Sequence, residues 1–153
     1  MNHSNEETND EVDFDALVQD TVRTNGELAS LDALYSRTFT LPHWYFVARG
    51  TLPNVYPYIA SHAEFAGGQP MMRAFTDPER LQRFVEENQL QDAEGGIPAL
   101  SIPTPEIVAY LESFIEQGVY GIWFNSDAQS YGFFLPLQQL RPVQERLRSL
   151  GMI

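Results

Sequence analysis

The sequence contains no cysteine and no lysine. Without cysteine it can form no disulfide, no thiolate nucleophile and no zinc-thiolate site. Without lysine all positive charge rests on nine arginines, set against 21 acidic residues, for a net charge of −12. That balance excludes the basic footprint of a nucleic-acid binder and the polybasic patch of a membrane-surface protein. No apolar run approaches the roughly 20 residues of a membrane-spanning helix. Residues 1–20 have neither the basic residues nor the apolar core of a secretion signal. These absences point to a cytoplasmic protein with no nucleic-acid or membrane partner. The length of 153 residues suits one domain.

The charge is unevenly spread. Seven of the acids fall in residues 1–20; the other 14 against nine arginines leave residues 21–153 at −5. Residues 1–11 are polar, acidic and without periodicity, the signature of a disordered tail, which leaves residues 12–153 as the single folded domain. A lysine-free, acid-rich surface suits a salt-adapted cytoplasm, where screening relieves carboxylate repulsion. GC-rich codon usage together with one acidic tail is the other account.

Along the chain, Phe14, Leu17, Val18 and Val22 fall on one helical face. Thr24-Asn25-Gly26-Glu27 breaks that helix and can cap a second, which should bury Leu28, Leu31, Leu34 and Tyr35 before Pro42. Residues 43–49 are aromatic and β-branched and read as an interior strand, with Trp44 and Phe46 on one face and Tyr45 and Val47 on the other. Residues 51–57 read as a loop because of Pro53 and Asn54. Residues 58–66 and 71–75 read as two strands joined by a tight hairpin turn at Gly67-Gly68. Thr76-Asp77-Pro78-Glu79 is a capping box, followed by a buried stripe of Leu81, Phe84 and Val85. Residues 99–102 form a short apolar piece able to be a strand. Thr104-Pro105-Glu106 opens a helix with Ile107, Val108, Leu111, Phe114 and Ile115 inward, and Gly118 stops it. Strands follow at 119–124 and 132–135. Pro142 then starts a last helix with Val143, Leu147 and Leu150 inward. The expected fold is α+β: one mixed, largely antiparallel sheet of about five strands flanked by helices.

Residues able to carry chemistry are few. His3 lies in the tail, beside a glycosylation-type Asn2-His3-Ser4, and His43 precedes a buried strand. His62-Ala63-Glu64 imitates the His-x-Glu of zinc deaminases but lacks the downstream cysteine pair. On an extended strand His62 and Glu64 would share a face as two metal ligands; an ordinary polar strand end is the simpler account, and no metal or other cofactor is expected. The carboxylate pairs Asp13/Asp15, Glu86/Glu87 and Asp92/Glu94 sit in polar sequence and read as solvated. No serine has a nucleophile-elbow frame. Gly67-Gly68 precedes a strand rather than a helix, so it is no phosphate cradle. Most aromatic residues belong to predicted strands and are explained by core packing. Tyr56, Tyr58 and Tyr131 lie in or beside loops and are better candidates for an exposed contact surface.

The run Met72-Arg73-Ala74-Phe75-Thr76-Asp77-Pro78-Glu79-Arg80-Leu81 resembles the amino-terminal domain of the SseB family, known for a bacterial protein that enhances serine sensitivity. In that family a hairpin leads into a Phe-Thr-(Asp/Ser) turn capping a helix. A second helix follows, and then a Gly-hydrophobic strand ending in an Asn-Pro-Gly-like turn. Here Gly118-Val119-Tyr120-Gly121-Ile122-Trp123-Phe124-Asn125 fills that last place, with Leu135-Pro136 after it. The resemblance spans residues 24–141. It departs where Ser126-Asp127 replaces proline and glycine, and the carboxy-terminal half of longer members is missing. It implies an α/β fold, a stand-alone version of the domain, and no established catalytic residues.

Two functions follow as expectations. One is a non-enzymatic protein-interaction module, bound to an unidentified protein or to itself, using Tyr56 and Tyr58 together with the segment from Asn125 to Tyr131. The other is a small-ligand-binding domain or an undetected hydrolase, with His62, Glu64 and Arg73 brought together around a strand-end pocket.

Overall fold

The computed structural model describes residues 12–153. The acidic tail, His3 and the glycosylation-type tripeptide lie outside the described residues. Helix α1 (Phe14–Arg23) starts where the Asp13 carboxylate accepts the Ala16 N–H at 3.0 Å. Helix α2 (Leu28–Phe39) follows the turn at Asn25 and Gly26, both at positive φ, with no side-chain cap from Glu27. Val22 and Leu28, expected inward, are exposed, Val22 by 74%. They sit on the last and first turns beside the interhelical bend, beyond the reach of the sheet.

Seven strands form one mixed, largely antiparallel sheet, and the fold is α+β. Strand β1 (His43–Thr51) is its hub. It pairs with β2 (Asn54–Pro57) along residues 48–51, with β4 (Met71–Phe75) at Tyr45 and Phe46, and with β5 (Ala99–Pro103) along residues 43–47. Strand β6 (Gly121–Phe124) lies parallel to β4, and β7 (Phe133–Pro136) closes the order antiparallel to β6.

The two strands beyond the expected five are short. Residues 54–57, read as loop, are β2: the backbone of β1 from Ala48 to Thr51 supplies the pairing, which overrides the poor strand propensity of Asn54 and Pro57. The strand expected over 58–66 is reduced to β3 (Ile59–Ala60), paired with Met72 and Met71 of β4. Between β2 and β3 stands Tyr58. Its N–H donates to the Val47 carbonyl at 2.8 Å and its carbonyl accepts from the Arg73 N–H at 3.4 Å, so it wedges β1 and β4 apart. The expected tight turn at Gly67-Gly68 is a ten-residue loop, 61–70, ending in a 3-10 turn (Ala66–Gly68). Ala66, Gly67 and Gly68 all have positive φ, so the chain coils there instead of reversing in two residues.

Helix α3 (Pro78–Glu87) is capped by Asp77, whose carboxylate accepts the Arg80 N–H at 2.8 Å. The cap therefore lies one residue beyond the Thr76 expected from the capping-box pattern. Helix α4 (Thr104–Glu112) ends before Gly118, though Phe114 is still buried. Helix α5 (Leu137–Ser149) begins five residues before the expected Pro142, which sits inside it. Leu137 and Leu140 are buried, and the carbonyl that Pro142 leaves without a partner belongs to solvent-exposed Gln138. Leu150, expected inward, is exposed.

The sheet is covered unequally. One face carries Trp44, Phe46, Met72, Ala74, Ile122, Phe124 and Leu135 into the main core against α1, α2, α4 and α5. Trp44 is fully buried there, and its indole N–H is satisfied by the Thr38 carbonyl at 2.9 Å. Among the described residues the other face carries one helix, α3, whose Leu81, Phe84 and Val85 pack on Val47 and Phe75 with Leu90 and Ile97 beside them. Over the β6–β7 half of that face, where Trp123 and Phe134 project, the cover includes two side chains of the 61–70 loop, Phe65 and His62.

Candidate functional site

Strand alternation decides which residues reach the thinly covered face. In β4, Met72 and Ala74 point to the main core, so Arg73 points the other way, beside Trp123, its registered partner on β6. Its guanidinium lies 4.5 Å from the Trp123 ring centroid and 5.6 Å from that of Phe84. Phe65 meets Trp123 edge-on at 4.3 Å, and His62 does so at 5.7 Å. Tyr58 packs on Phe84 at 6.1 Å and carries the Arg49 guanidinium over its own ring at 5.7 Å. Cationic and aromatic groups thus alternate across one face of an acidic protein.

Arg73 is 7% exposed yet meets no carboxylate among the described residues. Its one hydrogen bond is long, from Nη2 to the Ala60 carbonyl at 3.5 Å, and its buried Nε has no acceptor. Burial pulls the guanidinium below its ordinary pKa, opposed in part by the Tyr58 hydroxyl. A guanidinium stays charged in spite of this, so the positive charge sits largely out of water with its Nε donor unpartnered.

Three of the residues singled out from sequence, Tyr58, His62 and Arg73, therefore gather around Trp123 and Phe84. Glu64 does not join them: its N–H donates to His62 Nδ1 at 3.2 Å, while its side chain makes no ion pair or hydrogen bond among the described residues. The extended geometry that would have aligned His62 and Glu64 as metal ligands is absent, because both lie in a turn. Among the described residues no three such side chains cluster to hold a metal. Trp123, which the sequence pattern places in the core, and Phe65, which it does not single out, also belong to this group. The signal for Trp123 was the register with Arg73; for Phe65 there was none, since a long loop places it.

The remaining candidates are dispersed by the topology. Because β1 runs antiparallel to β4 and β6, the β1–β2 hairpin and residues 125–131 lie at opposite ends of the sheet. Tyr56, 48% exposed, and Leu52, 88% exposed, mark the hairpin end. Tyr131 is exposed at the far end, where its N–H donates to Asp15 at 2.9 Å. Asn125, expected on a contact surface, is fully buried and its amide is spent on Thr76.

That far end holds a groove of about 840 Å³, lined by Phe14, Leu41, Thr76, Asp77, Arg80 and Arg83 among others. Its cations are occupied: Arg80 bonds Asp15, Asp77 and Ser130, and Arg83 bonds Glu79 and the buried Asp127. The acids read from sequence as solvated are partly engaged as caps and clamps. Asp13 caps α1, Asp15 holds Arg80, and Glu87 accepts the Ala128 N–H at 3.0 Å. No family model matches the chain, and no curated protein matches it either.

Proposed function

We propose that this chain is a cytoplasmic, non-enzymatic module of SseB-like type that acts by binding another protein or a second copy of itself through the hairpin end of its sheet. The observation that carries this reading is the exposure of Leu52 and Tyr56 together on the β1–β2 hairpin. Large apolar side chains left in water at a projecting tip cost solvation free energy that association would recover. Tyr120, on the same end of the sheet, is also exposed. No helix among the described residues is long and apolar enough to cross a membrane, in keeping with a role away from the bilayer.

The test compares the wild-type chain with a Leu52→Ser/Tyr56→Ser double variant and with Tyr131→Ser at the opposite end. Capture experiments and light scattering should show a partner, or a self-associated species, that the hairpin variant loses and Tyr131→Ser retains. Equal behaviour of all three chains would remove the hairpin from consideration.

A second reading, a small-ligand-binding domain around His62 and Arg73, is favoured by one specific observation. Arg73 is a buried cation with an unpartnered Nε donor, and an anionic ligand would satisfy it. A thermal-shift screen with metals and metabolites, repeated on His62→Ala, tests it. A shift that needs His62 supports this reading, and uniformly flat profiles retire it.

A further inference from the structure

Resting on the ligand-binding reading, we propose that Arg73 is the anchor of a carboxylate-binding site, closed by the 61–70 loop, for a small monocarboxylate bearing an apolar or aromatic group.

The guanidinium fork is planar and is flanked by the Trp123 and Phe84 rings, which suits a planar anion entering edge-on to the fork. Only one guanidinium, that of Arg73, lies at the centre. His62 Nδ1 is taken up by the Glu64 N–H, and Arg49 is engaged over Tyr58 instead. A single cation between aromatic walls matches a monovalent anion better than a phosphate dianion, which would bring an uncompensated charge into the same low-dielectric space. The rings of Trp123, Phe84 and Phe65 would pack the ligand's apolar body.

Entry requires the loop to move, and the loop is built as a separable unit. Across residues 62–69 its backbone hydrogen bonds are internal, Phe65 N–H to His62, Gly68 N–H to Phe65 and Gln69 N–H to Ala66, while at its end the Pro70 carbonyl stays tied to the Tyr120 N–H at 2.9 Å. It is anchored on the sheet by the packing of Phe65 on Trp123 and Phe134 and of His62 on Trp123. Lifting Phe65 would therefore uncover Arg73 without breaking a strand pairing.

Titration with benzoate, phenylacetate and hexanoate, against benzyl alcohol and inorganic phosphate, tests the proposal through tryptophan fluorescence and thermal shift. The carboxylates should give saturable changes that the alcohol does not. Arg73→Lys, which keeps the charge but loses the fork, should weaken them about tenfold or more. Arg73→Met should abolish them while unfolding at the same or a higher temperature, because it removes an unpaired buried charge. Phe65→Ala, which removes the loop's anchor and one wall of the site, should speed association and weaken binding; unchanged association would overturn the closing role of the loop. A response to phosphate alone would leave a ligand site but overturn its carboxylate chemistry. No response to any anion would overturn both. A carboxylate response that survives in Arg73→Met would place the ligand elsewhere, and a large destabilisation of Arg73→Met would make Arg73 a structural residue.

Discussion

Asn125 ties the ends of the two parallel strands together through Thr76. Its Oδ1 accepts both the Thr76 N–H at 3.0 Å and the Thr76 hydroxyl at 3.3 Å, and its own N–H donates to Ala74 at 2.8 Å. At that point β4 turns into α3 and β6 into the 125–132 loop. Asn125 adopts φ of 55°, which asparagine tolerates better than most residues. Asn125→Ala should cost about 2–3 kcal/mol by stranding the buried Thr76 donor and straining the backbone. Asn125→Gly should cost less, because it removes the strain and loses only the side-chain bonds. Thermal unfolding of the two variants measures the difference; equal losses would show that the backbone conformation contributes nothing.

Arg80 and Arg83, three residues apart on α3, should differ sharply when removed. Arg83 Nε meets the fully buried Asp127 carboxylate at 3.1 Å, whereas the Arg80 partners Asp15 and Asp77 are 30% and 37% exposed. Arg83→Met strands a buried anion and should cost about 3 kcal/mol. Arg80→Met leaves acids that water can solvate and should cost about 1 kcal/mol. Urea denaturation gives both values, and the reverse order would contradict this account.

Tyr35 makes the fold sensitive to alkali. Its hydroxyl donates to the Phe134 carbonyl at 2.7 Å, and burial pushes its pKa up to about 12 from the usual 10. A raised folded-state value means that this contribution is complete below about pH 10 and is lost as pH rises toward 12. Tyr35→Phe should therefore cost about 1 kcal/mol at neutral pH, yet flatten the stability profile between those two values. Fluorescence-monitored unfolding across that range checks it; an unchanged alkaline slope would assign the loss to other groups.

Gly121 is required for space. A Cβ there would lie 2.4 Å from Cε1 of Phe134 and 3.0 Å from the Leu135 carbonyl. Phe134 in turn packs on Phe65 and Tyr120. Gly121→Ala should displace the Phe134 ring, loosen the 61–70 loop and increase hydrogen exchange there more than in α4. Uniform exchange across the molecule would show that the loop is held by something other than these rings.

Salt should separate the two accounts of the missing lysine. A domain whose residues 12–153 carry −8, if adapted to salt, gains stability from low to molar potassium chloride as carboxylate repulsion is screened. A flat thermal profile would assign the deficit to codon composition.

The legible parts of the fold were those with local causes. The alternation through Trp44, Tyr45, Phe46 and Val47, the stripe of Leu81, Phe84 and Val85, and the strand at 71–75 all match the structure. Failures came where a partner decided. Residues 54–57 become a strand because β1 extends beside them, and Leu28 and Leu150 stay exposed because the sheet ends short of them. Asn125 looked like a loop tip, yet the parallel register buries it against Thr76.

By itself, the sequence determined the fold class, the absence of thiol chemistry and the acidic, lysine-free surface, since composition and period-two or helical patterning are properties of the chain alone. Only the tertiary structure decided that Arg73, His62 and Tyr58 share one face while Tyr131 lies at the opposite end of the sheet. Strand register is the reason: a shift of one residue would exchange Arg73 with Ala74 and bury the charge in the main core.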